Sequence, residues 1–485
     1  MKTLSRTCSF VFRSIPLAGL FLAAVLSTAS AQTTLYWDGA SNGAWSLASN
    51  WNTALDGSGS NPAAAPGALD TAYLTTTNTT GTRNIFFDSD ASIGGITSNR
   101  LSGNNTVVRG NVAGAQTLSI GSGGFSGTGG VLTFGSATAS QAMNIALTAN
   151  QTWNLGNSVT VNNDISGNYV LTATNAAGFL ILYGNNTFQE LQSSSNIIVQ
   201  SDNALNVSTV RLTSGQFMAY TAARTLNASQ YILDGNVTLY STNGNVRNLN
   251  LGTGAVTLTG NRSITVQTNG QGDTVTIGGA IGETTANSSL TKLQAGTLIL
   301  GGNNTYTGAT NVNAGTLLIT GDSSAATGNV TVGNTGTLGG SGGTVGGAVT
   351  IQAGGILAIG PNPGTMTFTK NLTFNSGSTS NFEVNAFTPG NYDLALGGAG
   401  SQKVTFGGTI NVAFQSGFNT TGSATIFDFE TYAGEFSALN FTGLADGYSA
   451  SFDKDTGTIS VVPEPATWAL LAFSLTTVMV LRRRK

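Results

Sequence analysis

The strongest constraint on this chain is a glycine-led apolar burst that returns about every twenty residues. Gly296-Thr-Leu-Ile-Leu is followed by Gly315-Thr-Leu-Leu-Ile, Gly336-Thr-Leu-Gly and Gly355-Ile-Leu-Ala-Ile, with the leading glycines 19, 21 and 19 residues apart. An earlier copy at Gly178–Phe188 agrees with Gly296–Tyr306 at eight of eleven positions. A period this short fits one coil of a parallel β-solenoid, in which short strands are joined by tight corners and each coil covers the last. Ala255–Thr259, Thr274–Ile277 and Thr297–Leu300 alternate apolar and polar residues between Gly or Asn clusters, the pattern of short strands. Apolar residues at helical spacing are nearly absent from 32–461. The expected fold class is all-β, a parallel β-helix of about 20-residue coils. Separate β-sandwiches with Gly-rich turns are the alternative, and they do not require the spacing.

Stacked coils lie one strand apart, about 4.8 Å, so the roughly 430 residues of the mature chain make about 20 coils and a rod of about 100 Å. Leu, Ile and Val then point inward at alternate positions, Thr and Asn cover the outside, and Gly takes the corners. Composition fits a chain that works by shape. Charged residues are 8 % of the sequence, against about 25 % in ordinary globular domains. There is no His, and the one cysteine is Cys8. That excludes imidazole bases, His or Cys metal sites, and disulfides. No cofactor is expected.

Both termini carry addresses. Lys2, Arg6 and Arg13 precede the apolar run Leu17–Leu26, and Ala29-Ser30-Ala31 supplies the small residues of a cleavage position, so 1–31 has the three-part layout of a secretory signal peptide. At the other end Pro463-Glu464-Pro465 is followed by an apolar stretch to Leu481 and by Arg482, Arg483, Arg484 and Lys485. The 16 residues from Ala466 to Leu481 sit at the short limit for crossing a bilayer, with the cations on the cytoplasmic side. Without both ends the body holds 11 basic and 20 acidic residues, a net charge of −9 with no basic stripe. Nucleic acid is therefore not an expected partner.

The order Pro-Glu-Pro, short helix, basic end resembles the PEP-CTERM sorting signal of Gram-negative bacteria, over 462–485. The resemblance implies recognition by an exosortase, cleavage near Pro463–Pro465, and release or transfer to the cell surface after export through the secretory translocase and a transient inner-membrane tether. A permanent anchor is the alternative. The run Leu293–Leu317, with its Gly-Thr-Leu strand, Asn-Thr-Tyr-Thr-Gly turn and Thr-x-Val strand, is similar to the autotransporter-associated β-strand repeat, here at 293–320. That likeness implies a right-handed parallel β-helix, as in autotransporter passengers. An autotransporter ends in a membrane β-barrel, and 371–461 is too short for one.

The expected organisation is a signal peptide at 1–31, an aromatic N-terminal cap at 32–70, a solenoid at 71–370, a β-rich C-terminal cap at 371–461 and the sorting signal at 462–485. Trp37, Trp45 and Trp51 read as the cap, with a sugar-stacking platform as the alternative, and Asn61–Gly67 reads as a loop. Because β-helices also host polysaccharide lyases and glycosidases, acidic pairs two residues apart are candidate catalytic groups: Asp88 with Asp90, Asp428 with Glu430, Asp453 with Asp455. Such pairs in loops and caps are ordinarily solvated. Arg211, Arg224, Arg247 and Arg262 are isolated in sequence, though coils would align them. Asn269–Val275 touches the calcium-binding nonapeptide pattern in one imperfect copy and reads as a plain turn. The expectation is a non-enzymatic surface or matrix protein with a structural or adhesive role, with extracellular polysaccharide as a partner. An extracellular polysaccharide-active lyase or glycosidase is the alternative.

Overall fold

A computed structural model describes residues 32–464 except 40–41, 75–80, 100–104, 242–247, 268–272, 361 and 401. The signal helix with Ala29 and Ala31, the apolar C-terminal helix, Pro465 and the basic end lie outside the described residues, as does Arg247. Among the described residues there is no α-helix, only 3-10 turns at Ala48–Asn50 and Ala139–Gln141, and no helix is long and apolar enough to cross a membrane. Everything else regular is strand, and nearly all the pairing is parallel.

The three bursts singled out in the sequence are strands at Ala255–Leu258, Thr274–Ile277 and Thr297–Leu300. Each pairs with the equivalent strand one winding later, so strands that are distant in sequence line up in files. The chain visits three sides in turn. The first side runs from Asn42–Ala44 to Thr431–Gly434 and contains seventeen strands, each joined to the next in sequence order. Its two end strands do not pair with each other, so the file is a ladder along the molecule and does not close on itself.

The second side runs from Arg224–Thr225 to Ala438–Leu444. The third runs from Thr34–Trp37 to Ile281–Glu283 and resumes from Asp322–Ser323 to Phe427–Asp428. The break is bridged by Asn304–Thr307, where the Thr305 N–H donates to the Ile281 carbonyl and the Asn304 N–H to that of Asp322. Near the N-terminus Gln116–Gly127 turns a corner in mid-strand. Its first half pairs with Met143–Leu147 and its second with Gln151–Leu155.

The inward positions form one continuous core from Leu35 to Val461. Leu298, Leu317, Leu338 and Leu357 occupy one file in register, all fully buried. Coil length stays near twenty residues along much of the ladder, in the degenerate stretch from Gln151 to Tyr231 as well as in the repeats, but not everywhere. Thr310, Val330 and Val349 are register partners 20 and 19 residues apart, whereas Leu372 and Val404 are 32 apart because residues 385–393 bulge out between two sides. Seventeen strands at about 4.8 Å give a ladder of about 80 Å, shorter than the expected rod because several coils take more than twenty residues.

Glycine at one corner is dictated by close approach. Gly254, Gly279, Gly302 and Gly321 follow one another at the corner between the second and third sides. A Cβ on Gly279 would lie 1.9 Å from the Gly254 carbonyl oxygen, and one on Gly302 would lie 2.2 Å from that of Gly279. The Asn61–Gly67 segment contains no strand or helix, as its Pro and Gly predict.

Candidate functional site

The chemistry weighed from sequence resolves into separate places. Asp88 accepts from the Ser46 hydroxyl at 2.8 Å, while Asp90 accepts from the Thr117 N–H at 2.8 Å. Asp428 sits at the end of the third side, exposed. Asp453 and Asp455 share a hairpin turn. The Asp455 N–H donates to Asp453, whose carboxyl is held below its usual range chiefly by that bond, and Lys454 pairs with Asp455 at 2.7 Å. Asp88 and Asp90 thus bond to other windings, Asp453 and Asp455 are engaged within their turn, and Asp428 and Glu430 are both exposed. Among the described residues no three of His, Cys, Asp and Glu stand close enough to hold a metal ion. Of the nonapeptide-like run only Asp273–Val275 is described. Asp273 is buried and its carbonyl accepts from the Thr297 N–H.

Stacking does align two of the arginines. Arg211 Nε lies 3.2 Å from Glu190 and its Nη1 3.5 Å from Asp234, and Arg262 Nη2 reaches Asp234 at 3.8 Å. Glu190, Arg211, Asp234 and Arg262 thus alternate in sign up four successive windings. Arg224 belongs to the second side and takes no part in this row.

The Gly-Asn-Asn-Thr motif is where the two sequence copies agree in their bonding as well as in pattern. Asn304 is buried; its Oδ1 accepts from the Ile281 N–H at 2.9 Å and its Nδ2 donates to Ser323 Oγ at 2.9 Å. Asn186, also buried, accepts from the Ile165 N–H at 2.8 Å and donates to the Ala204 carbonyl at 2.8 Å. In both copies the carboxamide bonds to the winding below and the winding above, replacing a ladder rung where the backbone turns. Tyr306 follows, buried, its hydroxyl 2.7 Å from Thr310 Oγ1 and its pKa pushed up to about 12 by burial.

Lys292, one strand earlier, is inward-facing. Its ammonium donates to the carbonyls of Leu293, Gln294 and Ala314 at 3.1, 2.6 and 3.1 Å, using all three of its protons, and burial pulls its pKa down to about 8. Sequence reading missed Lys292 because a single Lys in a strand reads as outward-facing. The only signal was its parity with Leu290. Asp393 was missed because it closes an irregular excursion between two sides, where no alternation marks which residues turn inward. It is buried, and its oxygens accept from the Gly364 and Glu383 N–H groups at 2.9 Å each.

Of the expected sorting motif, Pro463 ends the last strand opposite Tyr448, and the Glu464 N–H donates to the Gly447 carbonyl at 2.7 Å. Both residues are exposed, as is Val462 at 52 %. The last described residues therefore stand exposed at a strand end.

Residues 290–319 match the family model of the passenger-associated transport repeat. This stretch holds Lys292, Asn304 and Tyr306 and one complete winding. No curated protein matches the chain.

Proposed function

We propose that this chain is an exported, right-handed parallel β-helix that serves at the cell surface or in the extracellular matrix as a structural or adhesive element. The observation that carries the reading is the passenger-associated repeat at 290–319, lying inside an uninterrupted ladder of parallel strands. In such a ladder the backbone supplies the hydrogen bonds and the side chains supply a neutral polar exterior. Of the acidic pairs, Asp88 with Asp90 and Asp453 with Asp455 have their carboxylates taken up in hydrogen bonds or an ion pair, which supports a role other than polysaccharide cleavage.

Delivery follows from the ends. The signal peptide with cleavage after Ala31 hands the chain to the secretory translocase. The apolar tail with Arg482–Lys485 tethers it for a time in the inner membrane of a Gram-negative bacterium. An exosortase-type enzyme then cuts near Pro463–Pro465. The exposure of Pro463 and Glu464 supports access of such an enzyme. Extracellular polysaccharide is the proposed partner of the neutral flanks.

The mass of the mature protein tests the route: a C-terminus at or before Pro465 is expected, and an intact Lys485 overturns sorting in favour of permanent anchoring. Co-sedimentation of the body with matrix polysaccharide tests the role. New reducing ends or unsaturated products from a polysaccharide panel would replace the structural reading with the enzymatic one.

A further inference from the structure

The second side ends on an unfinished rung. Ala438–Leu444 pairs with Thr409–Phe418, its one strand partner among the described residues. Within the ladder, inward residues are sealed from both sides. Ile410 and Val412, one winding inside, are 0 % and 1 % exposed, whereas Leu439, in register with Ile410, is 45 % exposed and Phe441, in register with Val412, is half-buried. An asparagine ladder leads to the same edge. Asn411 donates to Asn381 at 2.9 Å, Asn440 donates to Asn411 at 2.8 Å, and the row stops at Asn440. The seven residues Ala-Leu-Asn-Phe-Thr-Gly-Leu carry no charge, and Glu435 and Asp446 flank them. A long, uncharged, apolar edge of this kind is a template for another strand.

The rest of the molecule narrows what that strand is. The neighbouring end of the third side is covered, since Phe427 donates its N–H to the Gly457 carbonyl beneath the antiparallel strands Tyr448–Asp453 and Thr458–Pro463. At the opposite end of the molecule, Thr34–Trp37 is closed by antiparallel pairing with Trp51–Asn52, and Trp37 and Trp51 are fully buried. The first strand of the first side, Asn42–Ala44, has Arg83–Phe87 as its one strand partner among the described residues, but it is three residues long and its Ala44 carbonyl is taken by the Leu47 N–H and the Asn50 Nδ2. A head-to-tail partner therefore finds no open edge there that matches the seven residues of Ala438–Leu444, which leaves end-on closure with a like edge.

We infer that Ala438–Leu444 pairs antiparallel with the same strand of a second copy, joining two rods tail to tail about a two-fold axis. Centred on Phe441, the pairing sets Phe441 against its own counterpart, Asn440 against Thr442 and Leu439 against Gly443, an isologous contact that closes at two copies. Glu435 of each copy then lies diagonally across from Asp446 of the other, and these like charges set a salt dependence and keep the edge from recruiting further strands.

The test uses the full chain in detergent, with Cys8→Ser removing its only cysteine. Sedimentation should show a dimer, and Phe441→Cys in that background should oxidise to a disulfide-linked dimer. Leu439→Glu, at an exposed site that burdens the monomer little, should weaken the dimer at least about tenfold, because it buries a charge in the contact. Raising salt from about 0.01 M to about 1 M, which shortens the screening length from about 30 Å to about 3 Å, should tighten the dimer. A monomer in which the introduced thiol stays reduced overturns the inference. So does a monomer in which that thiol is shielded from thiol reagents, which would mean the chain's own residues beyond Glu464 cover the edge. Open-ended assemblies without cross-linking of the Phe441→Cys variant overturn it in favour of head-to-tail growth.

Discussion

Between Leu290 and Ala358 the core is a file of leucines, Leu298, Leu317, Leu338 and Leu357, each resting on its twin one winding away. Beyond Leu372 the same sides are filled by phenylalanine. Phe427 has Phe374, Phe382, Phe406, Phe436 and Phe452 within 4.7–6.1 Å between ring centroids, and Phe452 comes from an antiparallel strand. The N-terminal end is aromatic too, with Trp45 packed 4.8 Å from Trp51 and 4.7 Å from Phe87. A coil in the middle has a coil above and below it, so a modest aliphatic side chain finds identical neighbours and the layers fit by repetition. A coil at an end lacks one neighbour. Large rings must span the gap, and their edge-to-face contacts replace the missing layer. Ends and middle should therefore fail differently.

The largest effect is expected at the N-terminal end. Trp51 is fully buried, stands edge-on to Trp37 at 5.1 Å and donates its Nε1–H to the Trp45 carbonyl at 2.9 Å. Trp51→Ala should cost about 3–5 kcal/mol. Phe452→Ala at the C-terminal end, where the ring is only partly buried, should cost about 2 kcal/mol. Hydrogen exchange checks both and should show protection lost near the mutated end while Leu298–Ile319 keeps it, because a stack of coils opens locally. Equal loss along the whole ladder would mean that ends and middle melt as one unit.

Next comes Lys292, in the middle. Lys292→Met removes three donors at once and leaves the carbonyls of Leu293, Gln294 and Ala314 facing an apolar group, at about 2–4 kcal/mol. Opening should be confined to the windings on either side. The backbone at the corner is expected to matter less. A methyl group on Gly302 meets the Gly279 carbonyl, so Gly302→Ala should cost about 1–3 kcal/mol through a local shift. Gly282→Ala is the control: its added Cβ would come no nearer than 3.5 Å to Thr305 Oγ1. Urea melts of the two variants should separate them, and equal midpoints would remove close approach as the reason for glycine at this corner.

The middle was legible in the sequence for the same reason that it is regular. Gly296, Gly315, Gly336 and Gly355 repeat because each coil repeats its neighbour's geometry, and strands such as Thr274–Ile277 and Thr297–Leu300 begin and end where the alternation does. The duplicated Gly-Asn-Asn-Thr pattern marked Asn186 and Asn304, but not their task, since a buried carboxamide and an exposed turn asparagine look alike in sequence. Which polar residues turn inward was hidden as well. The parity that buries Lys292 is set by Leu290, while Asp393 follows an irregular excursion with no periodic neighbour. The row from Glu190 to Arg262 depends on coil lengths that the degenerate region does not announce. The ends repeat nothing, so their aromatic clusters could be read from the residues, but not the antiparallel sheet or the open edge of Ala438–Leu444.

The smallest effect per step is a pH dependence between about pH 4 and 7 that Asp393 sets at the C-terminal end. Burial raises the Asp393 carboxyl from 3.8 to about 7, against the pull of the Glu383 and Gly364 N–H groups that bind its anion, and the Glu383 charge pushes the same way as burial. A folded-state pKa above the unfolded one means the folded chain binds this proton more tightly. Its contribution to stability is therefore complete below about pH 4 and is lost as pH rises through about 7, at no more than about 1.4 kcal/mol for each pH unit in between. Lys292 moves the other way and elsewhere. Its folded pKa of about 8 lies below the unfolded 10.5, so its burial penalty is constant below pH 8 and relaxes only as pH climbs from 8 to 10.5. Because the two windows do not overlap, hydrogen exchange between pH 4 and 7, corrected for intrinsic rates, should show Leu394–Gly397 and Thr379–Val384 loosening with rising pH while Leu290–Ile319 holds. Asp393→Asn should abolish that slope. A slope that survives the substitution, or that appears equally around Lys292, would place the titrating group elsewhere.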